Sequence, residues 1–323
     1  MLLHLSMAFL LSTSADVFPP DHSRGVWSDL AIIRSQSDEP SDRALLFAEL
    51  YQRRLARELR NLPALPEAEL HDLFLVLDAA SRLSSVADYA RRADYLDGMR
   101  AVVEELGRRG TRRELELEKY LEALVARRRF DDARRMETLV DPSVFRRYSG
   151  FMQQGRRVFE GPSGYTLGRG GKLRHRAIEL PDDGSYVVVV IGCHIADRAA
   201  KALSLDPRLA GILGGPRVVW LLGDAETDVD VIRQWKQDFP AFKVHIAFDN
   251  ASWPGIDLAS TPSFFFFRRG QLVQTLVGWG ATVGPEQVAD AFETIGLLEP
   301  SQKSGSSAEG RPVDSRLAGA GRR

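Results

Sequence analysis

Cysteine is almost absent from this chain: Cys193 is the single one among 323 residues. A disulfide within the chain needs two thiols, so neither an internal disulfide nor a two-cysteine redox centre can form. The six histidines are scattered, without a His-Glu-x-x-His pair or a His/Asp cluster, and the sequence therefore predicts no metal site. No apolar run approaches the ~20 residues of a transmembrane helix.

Neither sign of charge dominates, because 43 Lys and Arg face 44 Asp and Glu, for a formal net charge of −1. A chain with this balance is not built to hold a nucleic acid, and we expect no direct nucleic-acid binding. A phosphate-binding loop is missing as well. Thr166 stands where its pattern needs Gly, and Leu173, after Lys172, replaces the Ser or Thr that meets magnesium. We therefore predict no small-molecule cofactor.

The N-terminus begins with a short apolar run, residues 1–11, followed by the small residues Ser12–Ala15. This pattern is typical of a secretory signal cleaved after Ala15, although no Lys or Arg precedes the apolar run. It predicts a signal peptide over 1–15, a periplasmic or secreted protein, and other envelope or secreted proteins as partners. The alternatives are a buried N-terminal strand or helix, or a misplaced start codon.

Residues 41–148 show helical periodicity, after a segment over 16–40 that we predict to be extended. Leu70, Phe74 and Leu77, for example, share one face of a helix that Pro66 opens. Arg128–Ala133 resembles the turn of a tetratricopeptide-type helical hairpin, but no repeat of about 34 residues recurs. The prediction is an α-helical N-terminal domain, either a bundle or a short tetratricopeptide-like solenoid.

Residues 149–174 form a basic, glycine-rich stretch that is predicted to link the two halves. Eight Lys or Arg between Pro142 and Arg176 face one acid, Glu160. The stretch is either a basic loop for an acidic partner or an anionic lipid surface, or a solvated linker and hairpin leading into a first strand at 177–180. The Ser-, Gly- and Arg-rich tail over 299–323 is predicted to be disordered.

Residues 175–298 alternate apolar strands with helices, which predicts an α/β domain with a parallel sheet and helices on both faces. The terminal hairpin adds an antiparallel edge. Strands are predicted at 186–191, 217–224, 243–248, 263–267 and 271–277, and helices at 197–205, 228–239 and 285–297.

Thr261-Pro262 opens this terminal hairpin, whose two strands are Ser263–Phe267 and Gln271–Val277. A Thr-Pro in this position resembles the cis-proline segment of thioredoxin-like proteins. The helix and strand inserted before Trp253 resemble those of the secreted thiol-disulfide oxidoreductase branch. The resemblance implies a thioredoxin-like fold in which Thr261 and Pro262 contact a bound polypeptide. Trp253, just before this loop, is either a wall of the same groove or a core residue.

In the same resemblance, Cys193 occupies the place of the first cysteine of a Cys-x-x-Cys motif, and Ala196 replaces the second. One thiol cannot resolve a mixed disulfide by itself. The tentative catalytic pair is Cys193 with His194, because a thiol at a helix N-terminus beside a histidine favours thiolate chemistry. The alternatives are an intermolecular disulfide, or no redox role, with Cys193 as a small apolar residue.

The N-terminal part is similar to a family of exported proteins of integrating conjugative elements. The similarity lies in Arg24–Ser28, Ser37–Glu39, Ala48–Tyr51 and Glu58-Leu59, and a further match is the segment Asp230–Trp235. It implies an envelope component of a DNA-transfer apparatus.

Three functions are therefore open: a protein-binding or assembly factor in the cell envelope, a monothiol oxidoreductase acting through Cys193, and a conjugative transfer component.

Overall fold

The computed structural model describes residues 26–36, 40–83, 92–154, 159–168, 171–181 and 184–299. The predicted signal peptide and all but the first residue of the predicted disordered tail lie outside these ranges. Among the described residues, no helix combines the length and the apolar character needed to cross a membrane.

The first half of the chain is helical. A π-helical turn, Tyr51–Leu55, joins the second and third helices, and a 3₁₀ turn, Leu62–Ala64, follows the third. The helices are α1 Val26–Gln36, α2 Pro40–Leu50, α3 Ala56–Leu59, α4 Glu67–Leu83, α5 Arg92–Arg109, α6 Glu114–Ala126, α7 Phe130–Arg135 and α8 Pro142–Gln154.

Helix α1 corrects the prediction of an extended segment over 16–40. Its pattern is weakly amphipathic, so the sequence gives little sign of it. Contacts with distant residues stabilise it instead: Ile33 is fully buried in the core, and the carboxylate of Asp29 accepts a hydrogen bond from Arg54 at 2.8 Å. Tertiary packing thus outweighs a poor local helix signal.

The second half is an α/β unit built on one mixed sheet. Its strands lie in the order β2-β1-β5-β4-β3-β6-β7. Strands β3, β4 and β5 are parallel, and β6, β7, β1 and β2 pair antiparallel. The elements are β1 Ser163–Leu167, β2 Leu173–Ala177, β3 Ser185–Ile191, α9 His194–Leu205, α10 Ala210–Leu213, β4 Val218–Leu222, α11 Val229–Asp238, β5 Val244–Ala247, β6 Ser263–Arg268, β7 Gln271–Val277 and α12 Pro285–Thr294.

This arrangement confirms the predicted fold class: a helical N-terminal region is followed by a thioredoxin-like α/β domain. The parallel pair β3 and β4 lies beside the antiparallel hairpin β6–β7, with α9 after β3 and α12 at the end. In the stretch predicted as a linker, the described residues include a hairpin, which is one of the alternatives that the sequence left open. The stretch contains the end of α8 and the hairpin β1–β2, which joins the sheet through β5. The predicted strand at 177–180 is wrong, since β2 ends at Ala177.

The prediction of helices on both faces of the sheet is also wrong. On β3, Val187 and Val189 join the large core that contains residues of α9, α11 and α12, whereas Val188 and Val190 join a second cluster. Among the described residues, no helix contributes to this second cluster. The loop between β5 and β6 contributes Trp253, Ile256 and Leu258 to it instead, and the segment after β2 contributes Ile178 and Leu180.

Arg128 joins the two halves. Its guanidinium donates hydrogen bonds to the backbone carbonyls of Phe248, at 2.6 Å, and Ala247, at 2.8 Å, at the end of β5. It also lies 5.0 Å from the centre of the Tyr165 ring. The rings of Phe151 on α8 and Tyr165 on β1 meet edge to face at 5.1 Å. The helical half is therefore fixed against the β1–β5 side of the sheet.

Candidate functional site

The candidate site lies at the carboxyl ends of β3 and β4. Strand β3 ends at Ile191, and Gly192 turns the chain with a φ of +154°, a conformation that side chains disfavour. Cys193 is then the N-cap of the twelve-residue helix α9. The buried strand and the helix thus place this thiol at the carboxyl end of β3, where it is half-buried.

The thiol of Cys193 donates a hydrogen bond to the backbone carbonyl of Thr261, with an Sγ–O distance of 3.3 Å. The Thr261-Pro262 peptide bond is cis. The carbonyl of Pro262 in turn accepts a hydrogen bond from the amide of Gly278 at 2.8 Å, which ties the loop to the end of β7. The structure therefore brings together Cys193, Thr261 and Pro262, three residues that lie far apart in the sequence.

His194 is the first residue of α9, and its side chain is exposed. The hydrogen bond of the Cys193 thiol goes to Thr261 and not to this imidazole. His194 acts electrostatically on Asp197 one turn later. Burial raises the pKa of Asp197, the charge of Asp238 raises it further, and His194 opposes the shift. A role for His194 in tuning the thiol stays a prediction.

Ala196 occupies the place of a second cysteine. Its side chain is fully buried and packs in the large core, as do Ala199, Ala200 and Leu203 on the same helix. Its amide donates to the carbonyl of Cys193 at 2.9 Å, which closes the first turn of α9. The position that a second cysteine would occupy is therefore apolar and buried.

Trp253 belongs to the second core cluster. The side chain is 2% exposed, and its indole N–H donates to the carbonyl of Ser163 on β1 at 3.0 Å. A side chain buried in this way is out of reach of a bound polypeptide. Trp253 holds the covering loop against the sheet, and its position is that of a core residue.

A cavity of about 280 Å³ lies beside the cis-proline loop. Gly192, next to Cys193 in the chain, and Thr261 line it together with the apolar residues Leu222 and Leu258. Arg82, from the last turn of α4, lines it from the helical half. The sequence did not identify this residue, because nothing in the local pattern of α4 indicates a contact with the second half.

Two carboxylates also line the cavity, and the sequence missed both. Asp224 follows β4, is buried, and lies 3.8 Å from the guanidinium of Arg127. Burial raises the pKa of Glu226, and the charges of Asp228 and Glu122 raise it further. The lining of the cavity thus combines apolar residues with charged residues of both signs.

The basic stretch of the sequence surrounds a second, larger cavity between the halves, of about 790 Å³. Arg146 and Lys172 line it together with the acids Glu118 and Asp228, and Arg147 is paired with Glu118 at 2.8 Å. Since both signs of charge are present, this cavity does not favour an acidic partner. Among the described residues, no group of His, Cys, Asp and Glu is arranged to hold a metal ion.

Comparison with known proteins adds little to this picture. No protein-family model matches the chain, and no curated protein sequence matches it. The chain is similar to a solved thioredoxin-like protein from Bacteroides caccae, with 14% sequence identity and a TM-score of 0.27, over 77% of this chain and 92% of that one. At that TM-score the similarity carries no weight, and the fold assignment rests on the order and direction of the strands.

Proposed function

We propose that this protein is a polypeptide-binding or assembly factor of the cell envelope, with a thioredoxin-like domain that has lost its redox centre. The observation that carries the proposal is the hydrogen bond from the Cys193 thiol to the carbonyl of Thr261. This contact lets the side chain of Cys193 help to hold the cis-proline loop in place. With Ala196 where a resolving cysteine would stand, an internal dithiol cycle has no second thiol.

The cavity beside Thr261 supplies the binding surface. Among its lining residues, Leu222 and Leu258 suit an apolar side chain of a partner, and the charged residues Arg82, Asp224 and Glu226 suit polar groups. Since Arg82 belongs to the helical half and the remaining lining residues to the thioredoxin-like half, both halves take part in recognition. The expected ligand is an extended segment of another envelope or secreted protein.

Photocrosslinking in intact cells tests this binding role. A benzophenone amino acid at Ala259, which lines the cavity, should give adducts with envelope proteins. The same group at Leu205, which is exposed on the last turn of α9, is the matched control. Adducts of equal yield at both positions, or none at Ala259, would contradict the proposal.

The alternative function is monothiol exchange, and the half-buried position of Cys193 at the N-terminus of α9 favours it. In that step the thiolate attacks a disulfide of the partner, one new S–S bond forms, and the other partner sulfur leaves as a thiolate. An external low-molecular-weight thiol must then release the mixed disulfide, because this chain has no other cysteine.

The pH dependence of Cys193 alkylation separates the two functions. In a binding factor, labelling of the folded protein is slower than in unfolded protein, with an apparent pKa no lower than the unperturbed ~8.5. Rapid labelling with a clearly lower apparent pKa would favour exchange instead. A Cys193→Ser variant adds a second readout, since a binding factor keeps its photocrosslinked adducts, whereas a monothiol enzyme loses the mixed disulfides that non-reducing electrophoresis detects.

Export and a role in conjugation are further parts of the proposal. The apolar run at residues 1–11 and the small residues up to Ala15 support export. Mass spectrometry of the protein from cells should find Asp16 as the first residue, and an intact N-terminus would count against export. The conjugative role is supported by the sequence similarity alone, and deleting the gene from a mobilisable element should then reduce its transfer frequency.

A further inference from the structure

The cavity beside the cis-proline loop has three charged residues in its lining: Arg82, Asp224 and Glu226. A charge that leaves water is costly unless an opposite charge meets it. The charge that a ligand should carry into the cavity therefore depends on which of these three residues the chain already balances by itself.

The guanidinium of Arg82 belongs to a neutral group of four side chains. It donates hydrogen bonds to Asp78 at 3.0 Å and to both carboxylate oxygens of Glu122, at 3.2 and 2.8 Å. Lys119 contacts Asp78 as well, at 3.1 Å. Two cations thus face two carboxylates, and Arg82 offers little net attraction to an anionic ligand.

The carboxylate of Asp224 is also balanced within the chain. It is buried, and one of its oxygens lies 3.8 Å from the guanidinium of Arg127. Arg127 follows α6 in the helical half, so this pair of opposite charges spans the two halves. Asp224 therefore has its cation already.

Glu226 differs from these two residues. It is half-buried, and within the described part of the chain it forms no ion pair. Its carboxylate accepts a hydrogen bond from the amide of Asp228 at 2.6 Å. Burial raises the pKa of Glu226, and the negative charges of Asp228 and Glu122 raise it further. Such an environment favours the arrival of a cation.

The rest of the lining suits the stem of a long basic side chain. Ile191, Leu222 and Leu258 are apolar and line the same cavity as Glu226. Lysine and arginine place their methylene groups along apolar surface while the charged head reaches a polar partner. The volume of about 280 Å³ is below the ~300–1,000 Å³ of sites for whole small molecules, so it suits one side chain.

We propose that the polypeptide bound beside the cis-proline loop presents a lysine or an arginine to this cavity, with its stem against Leu222 and Leu258 and its charged head at Glu226. This inference rests on the proposed function, because a polypeptide must occupy the site. Glu226 then determines specificity, since the same carboxylate repels a segment that carries Asp or Glu at this position.

Selection of peptides from a random library displayed on phage tests the proposal with the purified full-length chain. The wild-type protein should enrich peptides that share a Lys or Arg. This preference should disappear with Glu226→Gln, which keeps an oxygen for the amide of Asp228, and should change to Asp or Glu with Glu226→Lys. Glu179→Gln is the matched control, because Glu179 is exposed and does not line the cavity. It should select like the wild type.

Fluorescence anisotropy with one labelled, enriched peptide gives the magnitude. Replacing its basic residue by norleucine should weaken binding to the wild type about tenfold, the scale of one charge-assisted hydrogen bond, and should not weaken binding to Glu226→Gln. Circular dichroism confirms that each variant is folded.

The outcomes separate this inference from the binding function. Enriched peptides without a shared basic residue, or a basic preference that Glu226→Gln leaves unchanged, would overturn the inference and leave the binding function standing. Failure of the wild-type chain to enrich any peptide would overturn both.

Discussion

Replacing Arg128 should weaken the attachment of the helical half to the sheet. The side chain donates hydrogen bonds to the carbonyls of Phe248 and Ala247 and lies against the Tyr165 ring. A hydrogen bond with a charged donor contributes about 1.5–3 kcal/mol. With two such bonds, and with water reaching part of the site after truncation, Arg128→Ala should lower the free energy of unfolding by about 3–4 kcal/mol.

The backbone at this position allows a sharper design. Arg128 has a φ of +58°, in the left-handed region that glycine tolerates and other residues adopt at a cost of about 1–2 kcal/mol. Arg128→Gly removes the same side chain and relieves that cost. The glycine variant should therefore be more stable than the alanine variant by about 1 kcal/mol, and both should be less stable than the wild type.

Urea unfolding followed by circular dichroism measures these differences. Arg135→Ala is the matched control, since this arginine lies on the next helix, α7, and is exposed, with a surface ion pair to Asp132. Its free energy of unfolding should not change measurably. A loss below about 1 kcal/mol for Arg128→Ala, the contribution of one average hydrogen bond, would refute the role given to this residue.

Three further predictions concern the core and the thiol. Burial, with the charge of Arg128, lowers the pKa of His175 to about 4. The stability that the neutral imidazole contributes is therefore present above pH ~6.5 and is lost as pH falls through 4. His175→Gln should flatten the pH dependence of the free energy of unfolding in urea across that range. Ala196→Cys should give an internal disulfide with Cys193, seen as a mass loss of about 2 Da on oxidation. Trp253→Phe should cost about 1–2 kcal/mol in urea unfolding through its lost indole hydrogen bond.

Much of the thioredoxin-like half could be predicted from sequence because its strands are long apolar runs. Continuous apolar runs are typical of strands that are buried on both faces. The run Val187–Ile191 and the phenylalanines of β6 are of this kind, and both are buried. The pairing of Cys193 with the Thr261 loop was also predictable, through the resemblance of Thr261-Pro262 to a known loop.

The parts that could not be predicted depend on contacts between residues distant in sequence. Helix α1 is stabilised by the contact of Asp29 with Arg54, and the hairpin β1–β2, one of the alternatives for the basic stretch, enters the sheet by pairing with the distant strand β5. Neither contact shows in a local sequence pattern. Arg82 reaches the cavity because the two halves dock, and no local sequence pattern indicates that they do so. The sequence therefore identified the thiol and the loop and missed the charged residues that line the cavity.

The helix-free face of the sheet links the state of the core to the reactivity of the thiol. The segment that covers this face, with Trp253 and Leu258 buried in it, runs directly into Thr261. If the cover detaches by local unfolding, the carbonyl of Thr261 moves away and the Cys193 thiol loses its acceptor. The rate at which Cys193 is labelled thus reports local opening of a core that lies on the opposite side of the sheet from α9.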